Sequence, residues 1–159
     1  MSQPRVPMTP AGAQHLKEEL KRLREVERPK NVHDIEDARL QGDISENAEY
    51  HAAKERQGFI AGQIADVEDR LSRAQIIDPS KLSGEKVVFG ATVSLENSDS
   101  GEKVIYQIVG DHEADLAKGT ISISSPIARA LLGNEEGDEV KVQTPNGLRA
   151  YEILEIEFK

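Results

Sequence analysis

Leu16, Leu20 and Leu23 recur at intervals of four and three, and Ile60, Ile64, Val67, Leu71 and Ala74 recur at four, three, four and three. Both runs are heptad seams, which predict two amphipathic helices, each with one apolar stripe to bury. Paired antiparallel, Leu16 faces Leu71, Leu20 faces Val67 and Leu23 faces Ile64, so the hairpin folds back between Asp43 and Ile44. The same register sets Ile35 opposite Ala52 and Arg39 opposite Ala48, which lets the distal part be thinner than the base. Arms of about thirty residues at 1.5 Å per residue predict a rod of roughly 45 Å.

Thr9-Pro10 is a helix start, with Thr9 as cap and Pro10 preset for the first helical position. Helix one is expected to run towards Leu40, with a kink or a local change of seam at Pro29, which removes a backbone donor. Helix two is expected from about Asp43 or Ser45 to Ala74. Asp78 to Gly84 reads as a linker, after which the period changes from helical to alternating. Strands are expected over Val87 to Leu95, Val104 to Val109, Ile121 to Ser124, Val140 to Val142 and Tyr151 to Phe158. Turns fall at Asn97 to Gly101 and Pro145 to Gly147. Ser125 to Gly133 forms a short helix with Ser125 as cap, Pro126 at the first position and Gly133 as terminator. The expected fold class is α+β: a coiled-coil hairpin over 1–78, then a small domain with an antiparallel sheet over 79–159.

Composition narrows the chemistry. Among 159 residues there is no cysteine, which excludes a disulfide framework, thiol catalysis and cysteine-based zinc sites. No apolar stretch approaches a transmembrane span, and residues 1–8 lack the apolar core of a signal peptide, so a cytoplasmic location without membrane association is expected. A formal charge of -9 argues against independent binding to duplex DNA, because nonspecific affinity comes from neutralising phosphates with Lys and Arg. His15, His33, His51 and His112 show no metal-ligand spacing and read as structural or surface residues. The run from Asp111 to Asp115 lacks the ligand spacing and glycine of a calcium loop and reads as a solvated turn.

The acidic tip has two readings. Asp43 and Glu46, three apart at a helix start, can share a hard divalent cation such as Mg²⁺, though two carboxylates alone make an incomplete site. The same pair fits a capping box, with Asp43 accepting from the first turn and Glu46 reaching back. Both acids also suit the positive end of the helix dipole.

The segment Gly42-Asp43-Ile44-Ser45-Glu46-Asn47-Ala48-Glu49-Tyr50 with His51-Ala52-Ala53-Lys54-Glu55-Arg56-Gln57 closely resembles the hairpin tip of the bacterial GreA/GreB transcript cleavage factors. Val88-Phe89-Gly90-Ala91, Ile108-Val109-Gly110-Asp111 and Ser124 to Leu131 resemble the same family in the same order. The resemblance implies an FKBP-like second domain that docks at the rim of the secondary channel of bacterial RNA polymerase, with Ser125, Pro126 and Ile127 near the contact. It implies that Asp43 and Glu46 act as the catalytic acids. Within the polymerase complex they help hold a Mg²⁺ shared with the active centre, for hydrolysis near the 3′ end of backtracked nascent RNA. On this view the chain is a monomer and not an independent enzyme, and it binds no metal tightly in isolation. Asn47 and Tyr50 match the pattern as tip support. Arg39, Lys54 and Arg56 are candidates for holding RNA phosphates, against the reading that each simply pairs with a neighbouring acid. Helix two carries few basic residues, which resembles the branch of the family associated with short cleavage products.

Three rival readings make different demands. A channel-binding inhibitor of the same architecture is disfavoured by retention of both tip acids. A prolyl isomerase needs a pocket lined with several aromatic rings, whereas the second domain has only Phe89, Tyr106, Tyr151 and Phe158. A plain structural coiled coil predicts no effect of neutralising the tip.

Overall fold

The computed structural model describes residues 4–159, with the side chain of Ile44 left aside. The chain divides into two compact units, one containing residues 13–74 and the other combining residues 5–12 with 75–159. The sequence division at 78/79 puts residues 5–12 with the hairpin, and in the structure this short segment packs with the second unit. The segment is held by the second unit through backbone and carboxylate hydrogen bonds that no periodicity announces. Met1, Ser2 and Gln3 of the expected first domain lie outside the described residues.

The helical unit consists of α1 (Pro10–Arg22), a π-helical turn (Leu23–Glu27), α2 (Arg28–Leu40) and the returning α3 (Ala48–Arg73). Leu23, Ile60, Ile64 and Val67 form its buried apolar cluster, with Leu16, Leu20 and Leu71 packed against it, which is the expected seam. The change of seam expected at Pro29 takes a definite form. Proline has no N–H to donate, and in an unbroken α-helix its ring would crowd the carbonyl four residues back, that of Glu25. The π turn ends just before it, and the Arg28 N–H donates to the Leu23 carbonyl, five residues back. After Leu23 the shielded positions become Glu27, Asn31, Ile35 and Ala38. The extra residue moves the seam off the 3.5-residue repeat, and Val26 and Val32 are left 56% and 41% exposed.

The distal arms are held differently from the base. Asn31 is 2% exposed, and its Nδ2 donates to the Ala53 carbonyl at 2.9 Å. Extrapolating the leucine register would have set Asn31 opposite residue 56, so the base register does not continue through the π turn.

β1 (Val6–Met8) pairs with β2 (Ala74–Ile76), a two-stranded sheet absent from the sequence expectation because three-residue strands carry no period, and in the second unit a larger sheet follows. The main sheet contains β3 (Thr92–Asn97), β4 (Lys103–Val109), β5 (Thr120–Ser122), β6 (Glu139–Thr144) and β7 (Gly147–Glu157), in the order β5-β4-β3-β7-β6. The expected antiparallel sheet is corrected to a mixed one. β5 runs parallel to β4, with Gln107 opposite Thr120, because the chain crosses back through residues 110–119 and a single turn of 3₁₀-helix (Leu116–Lys118). The expected strand from Val87 also starts late, at Thr92, since Val87 to Gly90 form a turn against residues 133 and 134. Helix α4 (Pro126–Leu131) places Ala128 and Leu131 in a core with Val87, Ala91, Val93, Leu95, Ile108, Ile121, Val140 and Ile153.

Glu113 ties the leading segment into this unit. Its carboxylate accepts from the Thr9 N–H at 2.9 Å, from the Thr9 hydroxyl and from the Gly110 N–H at 3.0 Å. Thr9 also caps α1, accepting from the Gly12 N–H at 3.1 Å as its sequence position predicts. The approach is too close for a side chain at Gly110, where a Cβ would lie 2.7 Å from the Pro7 carbonyl oxygen. The stretch expected as a solvated turn is therefore a turn whose middle acid is a clamp. No helix among the described residues is long and apolar enough to cross a membrane.

Leu23 is 1% exposed at the centre of the helical cluster. Leu23→Ala is expected to destabilise the helical unit by about 3 kcal/mol through lost burial and a residual cavity. Urea unfolding followed by helical circular dichroism checks this.

Candidate functional site

The turn between α2 and α3 is built from local polar bonds. The Asp43 Oδ1 accepts from the Ser45 N–H at 3.1 Å and from the Ser45 hydroxyl at 3.0 Å, and the Glu46 N–H donates to the Asp43 carbonyl at 3.3 Å. These bonds close a 3₁₀ turn over Ile44–Glu46. The expected helix start at Asp43 or Ser45 is corrected: α3 begins at Ala48, with Asn47 as its cap. The capping box does not form. Asp43 closes the preceding turn, and Asn47 accepts from the Tyr50 N–H at 3.0 Å, so the cap position that Glu46 would reach back to is not Asp43.

This arrangement frees carboxylate oxygens. Among the described residues, neither Glu46 oxygen nor the second oxygen of Asp43 accepts a hydrogen bond, and both side chains are exposed. They open, with Asn47 and Glu49, onto one shallow concavity at the tip. Free, hard oxygen donors are what Mg²⁺ takes, and it completes its shell with water or other ligands. Among the described residues no group of three His, Cys, Asp or Glu side chains converges. Two free carboxylates on one turn are the donor type that fits a hard divalent cation.

The supporting candidates separate. Arg39 is exposed, with no ion pair among the described residues. The Lys54 Nζ bonds to the Gln57 Oε1 at 3.0 Å. Arg56 pairs with Glu27 across the hairpin at 2.7 Å, the bland alternative raised for it from sequence. Tyr50 is half-buried, with its ring edge-on to His51 at a centroid distance of 5.6 Å. Asn47 turned out to do more than its sequence position indicates: besides capping α3, its Nδ2 donates to the Ala38 carbonyl at the end of α2.

In the second unit, Ser125 caps α4 by accepting from the Ala128 N–H at 3.3 Å, Pro126 takes the first position, and Ile127 is half-buried against the core. Beside this helix start, Asp111 accepts from the hydroxyls of Ser122, at 2.5 Å, and Ser124, at 2.7 Å. Those two bonds hold its carboxyl below the ordinary aspartate range. Asp111 sat in a motif singled out for resemblance, but nothing in the sequence placed Ser122 and Ser124 on it.

Comparison with known proteins covers nearly the whole chain. The family model described as "Transcription elongation factor, N-terminal" matches residues 6–76, and that described as "Transcription elongation factor, GreA/GreB, C-term" matches residues 82–158. The chain is 61% identical to the transcription elongation factor GreA of Caulobacter vibrioides strain NA1000 over 154 residues, spanning 97% of this chain and 98% of the relative. It is likewise 61% identical to GreA of Phenylobacterium zucineum strain HLK1, with the same coverage. Among solved structures, GreA factor homolog 1 of Thermus thermophilus is 33% identical, covering 96% of this chain and 99% of that one, with a TM-score of 0.43.

Asp43→Asn is expected to leave the thermal midpoint within about 2 °C of the parent, because asparagine supports the same local turn. A scan by circular dichroism checks this. For Asp111, the folded state holds the carboxylate below its ordinary pKa, so the stabilising bonds are fully present above the usual aspartate range. They are lost as pH falls through the depressed value. An NMR titration is expected to place the Asp111 midpoint below that of a free aspartate, and Ser122→Ala with Ser124→Ala is expected to return it upward.

Proposed function

Because this chain belongs to the GreA/GreB family of transcription elongation factors, we propose that its hairpin tip enters the secondary channel of bacterial RNA polymerase and stimulates the polymerase's own cleavage of backtracked nascent RNA. The observation that carries this reading is the tip itself: Asp43 and Glu46 keep carboxylate oxygens without hydrogen-bond partners among the described residues, on the turn that joins the two arms of the hairpin. A protein using these acids only to cap α3 would have them bonded, and Asn47 performs that task instead.

Asp43 and Glu46 are the residues that would hold a Mg²⁺ shared with the polymerase, which supplies the remaining ligands. Such an ion lowers the pKa of its bound water and offsets charge at a phosphodiester. The protein's own contribution is placement. Two carboxylates that bind weakly in water become useful in a channel where water is scarce and the other ligands stand ready. The hydrolytic centre belongs to the polymerase, and the factor is not an enzyme by itself. Tyr106, Tyr151 and Phe158 pack against the core of the second unit, which does not favour their lining an isomerase pocket.

Arg39, with no ion pair among the described residues, is the best placed cation for the extruded RNA 3′ segment, and Lys54 and Tyr50 are secondary candidates. Arg56 serves the hairpin through Glu27. The α4 start, Ser125, Pro126 and Ile127, is the proposed docking edge on the polymerase. The factor acts as a cytoplasmic monomer with GreA-type short products, and without sequence-specific contact to DNA.

The test uses stalled elongation complexes carrying 3′-backtracked, 5′-labelled RNA with Mg²⁺. The parent protein is expected to accelerate RNA shortening, while Asp43→Asn and Glu46→Gln reduce that acceleration by roughly a hundredfold, the upper end of what losing a partner of a metal site costs. Slowed nucleotide addition without cleavage would instead make the protein a channel-binding inhibitor.

A further inference from the structure

At the end of α2, the Ala38 carbonyl is one of the last acceptors left without a regular α-helical partner, and from the backbone it receives the tightened bond of the Gln41 N–H at 3.2 Å. At the start of α3, the Tyr50 N–H is one of the donors left without one. A single side chain serves both. The Asn47 Oδ1 accepts from the Tyr50 N–H at 3.0 Å, and its Nδ2 donates to the Ala38 carbonyl at 2.5 Å.

This double duty explains why asparagine occupies the cap. Aspartate and serine cap a helix about as well, and aspartate suits the helix dipole better. Ionised aspartate has no donor at all, and serine carries its one donor on the same oxygen that must accept, whereas asparagine offers donor and acceptor on two separate atoms. The bridge therefore closes a ring from Ala38 to Asn47 that encloses Asp43 and ends next to Glu46. Within that ring the other fastenings among the described residues are the Asp43–Ser45 bonds and the backbone bonds from Gln41 to Ala38 and from Glu46 to Asp43. Beyond Leu23 the large apolar cluster no longer holds the arms together on the α2 side, so register near the tip depends on such polar ties.

We propose that Asn47 is a positioning residue, whose side-chain amide clamps the two arms at the tip and thereby sets where the Asp43 and Glu46 carboxylates stand. This rests on the reading of function given above. The clamp acts through Glu46 and the 3₁₀ turn, and Asn47 itself need touch neither ion nor RNA.

Asn47→Ser separates the two duties: the hydroxyl still caps α3, and the separate amide donor that reaches the Ala38 carbonyl is lost without any change of charge. In the free full-length protein, amide hydrogen exchange of residues 43–47 is expected to accelerate, with exchange in α3 beyond Tyr50 and the overall helical signal unchanged. In the cleavage assay, the rate at saturating factor is expected to fall roughly tenfold. The half-saturating factor concentration should stay at the parent value and the Mg²⁺ needed for half-maximal rate should rise. Asn47→Asp, which caps well but turns an acceptor towards the Ala38 carbonyl, is expected to loosen residues 43–47 at least as much. Tip exchange and cleavage equal to the parent in Asn47→Ser would overturn the positioning role while leaving the function intact. A change confined to factor affinity, or a general loss of helix, would also overturn it. A parent protein that does not stimulate cleavage at all would bring down the reading of function first, and that outcome is recognised without any variant.

Discussion

Two antiparallel helices can reverse direction only by leaving backbone donors at one helix start and acceptors at the other helix end without their regular partners. At the base of the hairpin this constraint is remote, because Leu23, Ile60, Ile64 and Val67 supply apolar burial. At the tip there is no apolar cluster to help. The chain meets the constraint with amides and short turns: Asn47 serves both helix ends, and Asp43 closes the 3₁₀ turn on Ser45. With those bonds in place, the Glu46 carboxylate has no hydrogen-bond partner among the described residues. The free carboxylate oxygens of the tip are thus a by-product of how its backbone is satisfied.

Pro29 shapes the arm that carries this tip. A missing N–H and a bulky ring cannot be accommodated in a regular ladder, and the preceding π turn takes up the conflict. Its extra residue redirects the seam from leucine to Glu27, Asn31, Ile35 and Ala38. Small and polar side chains then meet the facing arm, with Asn31 bonding the Ala53 carbonyl where the base would use a leucine. A fully buried polar group of this kind gives up some stability and favours one register over its neighbours.

The second unit solves a different problem, that of a small sheet with little chain to spare. A short helix with a serine cap and an N-terminal proline closes the core at Ala128 and Leu131. Glu113 recruits residues from the beginning of the chain by gathering three donors onto one carboxylate. Such a contact spans more than a hundred residues, and only glycine at position 110 leaves room for the Pro7 carbonyl beside it.

Local regularity was legible in the sequence: the heptad seams, the Thr9 and Ser125 caps, the turns at Asn97 and Asn146, the alternation of β3, β4, β6 and β7, and the acidic tip itself. Each depends on residues within a few positions of one another, where periodicity and side-chain chemistry act directly. What the tertiary structure decided depends on groups far apart in the chain. It set the parallel pairing of β5, joined residues 5–12 to the sheet unit, moved the cap of α3 from Asp43 to Asn47, and placed Ser122 and Ser124 on Asp111. The choice between a capping box and a free carboxylate pair could not be made from spacing, because both use the same residues at the same interval. It was made by the Ala38 carbonyl, which offers Asn47 a second bond from the other arm and so favours asparagine as the cap.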